Sequence, residues 1–200
     1  MTTTFKPTEL FGGAITANLP ASYADVSNIR EVPDHQEIYL DASGFSSIII
    51  EIAERVSDPT TDHEALKFHF HDIVDEHDTG RIWQTDVAHL PHFPPNTPCY
   101  TLLATTTPPA ATNGDVGAKA PSFTAVVLTL IRLVAQSTDI VVTVNIPHIP
   151  GHQEPSDGAV DFEDGRFGSL VEVGVKIRDE VWRSLEVRDW GLFGAGGGDE

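Results

Sequence analysis

Cationic side chains are scarce in this chain of 200 residues. Twelve Lys and Arg, only four of them Lys, stand against 30 Asp and Glu, for a formal charge of −18. Such a field repels a polyanion, which excludes binding to nucleic acid by phosphate neutralisation. It also argues against docking on an anionic membrane surface. Cysteine is almost absent. Cys99 alone permits no intramolecular disulfide framework and no cysteine-based zinc site, and it points to a reducing compartment. Long apolar runs are missing as well. No stretch approaches the roughly 18–20 residues of a membrane span, and the opening MTTTFKPTELFGG lacks the regions of a signal peptide. No internal repeat is found.

What remains is enough for one domain, since domains run to about 100–200 residues and bury roughly 70% of their unfolded surface at this size. The expected domain spans residues 1–193, and the final GAGGGDE, 194–200, reads as a disordered tail. The acids are unevenly placed. Residues 25–41 hold five with one Arg, 51–78 hold nine with two bases, and 154–165 hold five with none.

Residues 10–17, LFGGAITA, read as a short strand whose glycine pair marks a bulge or a close backbone approach. Residues 18–30 are turn-rich, and 36–40, QEIYL, form a second strand. Residues 47–56, SSIIIEIAERV without its first Ser, fit helical spacing through Ile49, Ile52, Ala53 and Val56; the triple Ile keeps a strand open as the alternative. Thr61-x-x-Glu64 is a capping-box pattern opening a helix that ends near 78–80. Strands are expected at 81–87 and 99–106. Residues 122–135 are apolar on both parities and belong at the centre of a sheet, covered on both faces. The short link 136–138 makes an antiparallel hairpin with a buried strand at 139–147. A last helix runs from 167 to 185. The stretches 89–98, 108–121 and 148–164 read as loops, the last acidic and mobile. Strands and helices in blocks, without regular alternation, indicate an α+β layered domain.

Motifs for chemistry are few. Nine histidines include His69 and His71, two apart and so on different faces of a helix, and His89-x-x-His92 in a proline loop. Neither makes a metal site, and residues 154–165 lack calcium-loop spacing. No phosphate-binding glycine motif or nucleophile elbow occurs. Cys99 reads as a buried core thiol. No cofactor, metal or enzymatic activity is expected.

One stretch resists a purely structural account. Residues 25–37 place Glu31, Asp34 and Glu37 around Pro33, in a turn that feeds a strand. Exposed carboxylates on a rigid turn suit charge-assisted hydrogen bonds to Lys or Arg of another protein. Equally, Asp34 would merely cap the turn and Glu37 would face water on one side of the strand.

The motifs resemble a known family. Leu10-Phe-Gly-Gly-Ala-Ile, then Asp25-Val-Ser, Arg30-Glu-Val-Pro-Asp and Gln36-Glu, resemble the opening of the Mog-type Ran-interacting nuclear import proteins. Phe68-His69-x-x-Asp72, residues 125–133, Thr138-Asp-Ile-Val-Val, Asn145-Ile-Pro and Asp189-Trp-Gly-Leu-Phe continue the match in order, over about residues 8–193. The loops 89–98, 107–121 and 148–165 depart from the pattern. The resemblance implies an α/β/α sandwich with a mostly antiparallel, about six-stranded sheet flanked by helices, similar to the PsbP fold. It implies a monomer that binds the small GTPase Ran, with other Ran-binding proteins as further candidates, and promotes release of its guanine nucleotide in the nucleus and cytoplasm. The acidic turn maps the Ran-binding surface onto Asp34 and Glu37, with Asp25, Arg30 and Glu31 adjacent. A scaffold or ligand-binding module on the same fold is the alternative, because fold alone does not fix function.

Overall fold

The computed structural model describes residues 3–58, 61–109, 121–150 and 168–194. Most of the loops expected at 108–121 and 148–164, and of the tail expected at 194–200, lie outside the described residues.

Among the described residues, ten strands and two helices follow one another as β1 (Phe5–Leu10), β2 (Ile15–Pro20), β3 (Tyr23–Asp25), β4 (Gln36–Asp41), β5 (Ser47–Glu54), α1 (Asp62–Ile73), β6 (Thr79–Val87), β7 (Cys99–Thr107), β8 (Phe123–Leu133), β9 (Thr138–His148), α2 (Gly168–Ser184) and β10 (Glu186–Val187). Seven strands form one antiparallel sheet in the order β3-β4-β5-β9-β8-β7-β6. The hairpin β1–β2 and the short β10 make a second, three-stranded sheet. The α+β sandwich expected from sequence is therefore present, with seven strands where about six were expected and a small extra sheet.

Periodicity explains the layers. Along β8, Ala125, Val127 and Ile131 point into one core, and Val126, Leu128 and Leu130 into the other. Each such Leu or Ile, fully buried, contributes about 1.5–3 kcal/mol. The first core is closed by α2, β1 and β2, the second by α1. Helix α2 packs on β2, β9 and β8. It lies close to the sheet at Gly174, where a Cβ would meet Ile146 Cδ1 at 2.0 Å; that approach accounts for a glycine in a helix interior, where it costs about 1 kcal/mol relative to Ala.

Three sequence expectations change. Residues 47–56 were expected as a helix, and most of them form strand β5. Its run of β-branched residues satisfies both periods locally; pairing with β4 on one side and β9 on the other decides, and buries Ile48 and Ile50 on the α2 face. Residues 10–17 are not one strand. The chain reverses through Phe11–Gly13, so that Leu10 pairs with Ile15. Helix α1 stops at Ile73, several residues before 78–80, although its start is as expected: the Thr61 side chain accepts from the Glu64 N–H at 3.3 Å. The β8–β9 hairpin forms as expected, turning through Ser137 at φ 51°.

Candidate functional site

The acidic turn begins at the end of β3. Asp25 caps a 3-10 turn, accepting from the Ser27 N–H at 2.8 Å and the Ser27 hydroxyl at 2.7 Å. The chain then crosses to β4 through a tight turn in which the Gln36 N–H donates to the Pro33 carbonyl at 2.9 Å. Asp34 and His35 form its exposed tip. The His35 carbonyl accepts from the Ile52 N–H at 2.9 Å, which fixes the turn to β5. Asp34 is thus a solvated carboxylate on an anchored backbone.

Glu37 is different. It was expected among the exposed carboxylates, and the structure turns it inward. Its Oε1 accepts the Phe11 N–H at 2.6 Å, and its Oε2 accepts the Tyr39 hydroxyl at 3.3 Å. Burial, then the nearby carboxylates of Glu37 and Asp25, push the Tyr39 phenol well above its usual pKa, so it stays a donor. Phe11 has φ 50°, and Gly12 and Gly13 follow at 65° and 91°. A left-handed non-glycine residue costs of order 1 kcal/mol. A hydrogen bond to a charged acceptor contributes about 1.5–3 kcal/mol and offsets it.

These pieces surround one cavity of about 390 Å³. Phe11 and Gly12 come from the first turn, Asp25 and Ser27 from the 3-10 turn, Pro33, Asp34 and Glu37 from the acidic turn, and Leu192 from the C-terminal segment. That last segment is tied in by the Arg188 and Asp189 N–H groups, which both donate to the Ala14 carbonyl at 2.8 and 3.0 Å. Of the five residues singled out in the sequence, Asp25, Asp34 and Glu37 meet here. Arg30 and Glu31 are exposed on the same loop but do not line the cavity. Beside them Ile29 is 79% exposed, an apolar group that sequence reasoning passed over because nothing in the pattern placed it outward.

A second charged cluster lies inside the molecule. Arg132 and Asp139, both fully buried, pair at 3.1 Å across β8 and β9. Arg132 Nη1 also reaches Asp62 at 2.6 Å, and its Nη2 donates to the Val56 carbonyl. Asp139 Oδ2 receives the Val56 N–H at 3.0 Å and faces His69 Nε2 at 3.1 Å. Burial alone would raise the Asp139 pKa; the His69, Val56 and Arg132 contacts outweigh it and hold the carboxyl below its ordinary range. The sequence signal was Arg132, a lone cation in an otherwise apolar strand. This cluster clamps α1 to the sheet, with Arg132 and Asp139 fully buried and only Asp62 partly exposed. Cys99 is likewise buried, its thiol pushed up to about 12 by burial.

A larger cleft, about 530 Å³, separates α2 from β6 and β7, with Leu103, Val171, Val175 and Trp182 among its lining. No residue of the acidic turn borders it. Among the described residues, no three His, Cys, Asp or Glu side chains gather in a way that would hold a metal ion, and no helix is long and apolar enough to cross a membrane.

Comparison with known proteins gives consistent results. Residues 8–147 match the model of the family described as "Ran-interacting Mog1 protein". The "Probable ran guanine nucleotide release factor" of Dictyostelium discoideum is 30% identical over 154 residues, covering 72% of this chain and 75% of that protein. The "Nuclear import protein MOG1" of Saccharomyces cerevisiae is 29% identical over 207 residues, covering 94% and 84%. The crystal structure of the S. cerevisiae Ran-binding protein MOG1P superimposes with a TM-score of 0.71 at 24% identity, over 96% of this chain and 100% of that one. The solution structure of cyanobacterial PsbP from Synechocystis follows the same fold at a TM-score of 0.52 and 11% identity, covering 94% of each chain.

Proposed function

The chain belongs to the Ran-interacting Mog1 protein family, and from that premise we propose that it binds the small GTPase Ran and promotes release of its guanine nucleotide, in the service of nuclear import. It acts as a regulator of the GTPase rather than as an enzyme, and works as a monomer in nucleus and cytoplasm. Residues 1–193 serve as one Ran-binding domain.

One observation carries the assignment of the surface. Three segments far apart in sequence, around Phe11, Asp34 and Leu192, converge on a single cavity whose mouth bears the solvated carboxylate of Asp34. Asp34 is the direct ligand for a Lys or Arg of Ran. Asp25 adds negative potential beside it. Arg30, Glu31 and the exposed Ile29 extend the surface along the same loop. Docking there competes with the interactions that hold the nucleotide phosphates and favours the open state of the GTPase. The shift cannot exceed the difference in affinity between the two states. The −18 charge speeds encounter with a basic face, and salt slows it.

The test is release of a fluorescent guanine nucleotide from Ran. Acceleration by the protein, lost in Asp34→Ala, supports the reading. No acceleration and no co-elution with Ran would move the assignment to a ligand-binding module. The apolar cleft under α2 is the observation that favours that second reading.

A further inference from the structure

We infer that Glu37 is a positioning residue and not a contact residue: it acts through the Phe11 amide, holding the Phe11–Gly13 turn as the wall of the cavity that faces Asp34. The inference rests on the docking reading above and gives the two neighbouring acids different jobs.

Both Glu37 oxygens are committed inside the molecule, one to the Phe11 N–H at 2.6 Å and one to the Tyr39 hydroxyl at 3.3 Å. The turn they support is unusual. Three consecutive residues, Phe11, Gly12 and Gly13, sit at positive φ, and the first has a side chain. The two ends of the turn are held differently. At its end, the Ala14 carbonyl is fixed by two backbone N–H groups from Arg188 and Asp189. At its start, the Phe11 amide is fixed by a side chain, Glu37. Loss of that acceptor frees the start of the turn to relax out of the left-handed region. Phe11 and Gly12 would then leave the cavity wall. Asp34 has no such tie: among the described residues, no side chain or backbone group bonds its carboxylate, so its charge is available to a partner.

The two roles need different chemistry. Holding an amide needs an acceptor at the right reach; a charge strengthens that bond but is not required for it. A Gln side chain supplies that acceptor through Oε1, and its amide N–H can turn to the Tyr39 oxygen. An Asp side chain keeps the charge and falls one methylene short. Docking a cation from an exposed turn needs the charge itself.

The experiment is a set of Ran affinities by calorimetry at low and at physiological salt, with amide hydrogen exchange at Phe11–Ala14. Glu37→Gln is expected to stay within about threefold of wild type, with slow exchange in the turn and an unchanged salt dependence. Glu37→Ala and Glu37→Asp are expected to lose about tenfold or more, equal to 1.4 kcal/mol, with faster exchange. Asp34→Asn is expected to lose as much as Asp34→Ala and to flatten the salt dependence, with exchange in the turn unchanged. Should Glu37→Ala fail to fold, the ordering of Gln above Asp decides alone. Glu37→Gln as weak as Glu37→Ala, or Glu37→Asp as tight as wild type, would overturn the positioning role while the docking surface stands. Wild-type affinity in every Asp34 and Glu37 variant would overturn the docking surface, and the positioning role with it.

Discussion

Asp139 and Asp34 are the same chemical group in opposite settings. Asp139 has no exposed surface and receives hydrogen bonds from Arg132, His69 and the Val56 backbone. Asp34 stands in water on a turn whose backbone, not its side chain, is secured. The first carboxylate is used up by the fold, so it can only stabilise or destabilise. The second is left over by the fold, so it is available for recognition. Glu37 lies between them: close enough to Asp34 to line the same cavity, yet bonded inward like Asp139. An acid count therefore says little about an acidic surface until each carboxylate's hydrogen bonds have been followed.

The largest effect expected from breaking this contrast is at the buried end. Asp139→Ala removes the buried partner of Arg132 and leaves it only the partly exposed Asp62, and should cost about 3 kcal/mol of stability by denaturant unfolding. The folded fraction should still bind Ran normally.

Asp34→Ala should do the reverse. It should cost about 2 kcal/mol or more in Ran affinity where the partner cation is buried on docking, and leave stability within about 0.5 kcal/mol, as for surface changes generally.

The pH dependence sharpens the same contrast. Asp139 titrates below its ordinary 3.8 in the fold. A depressed carboxyl contributes stability that is present in full above the unfolded value and is lost as pH falls through the folded one. Acid melts of the wild type should therefore steepen below about pH 3.8.

The smallest effect is at the cap. Asp25→Ala removes the acceptor for the Ser27 N–H and should cost about 1 kcal/mol of stability, with a modest loss of Ran affinity through the loop it braces.

Much of this was legible in the sequence. The two-sided apolar run of β8 announced a central strand, Thr61 and Glu64 announced the start of α1, and the short link after Gln136 announced the antiparallel hairpin. Residues 47–54 were not, because Ile48 to Ile52 satisfy a helical and an alternating pattern together, and only the neighbours β4 and β9 choose between them. The small second sheet was hidden for a similar reason: β10 is two residues long and exists only by pairing with β2. In the candidate site, the Pro33 turn and its acids could be read directly. The inward turn of Glu37 could not, since it depends on Phe11, 26 residues away, presenting its amide. Leu192 joined the cavity by the same long-range folding.

The central claim is that Asp34 is a docking carboxylate on a prebuilt surface. The most direct measurement is the rate of fluorescent nucleotide release from Ran with wild type and with Asp34→Ala at equal concentration. Acceleration by wild type that falls away in Asp34→Ala, with both proteins melting at the same temperature, is the predicted result. Equal acceleration by the two proteins would contradict it.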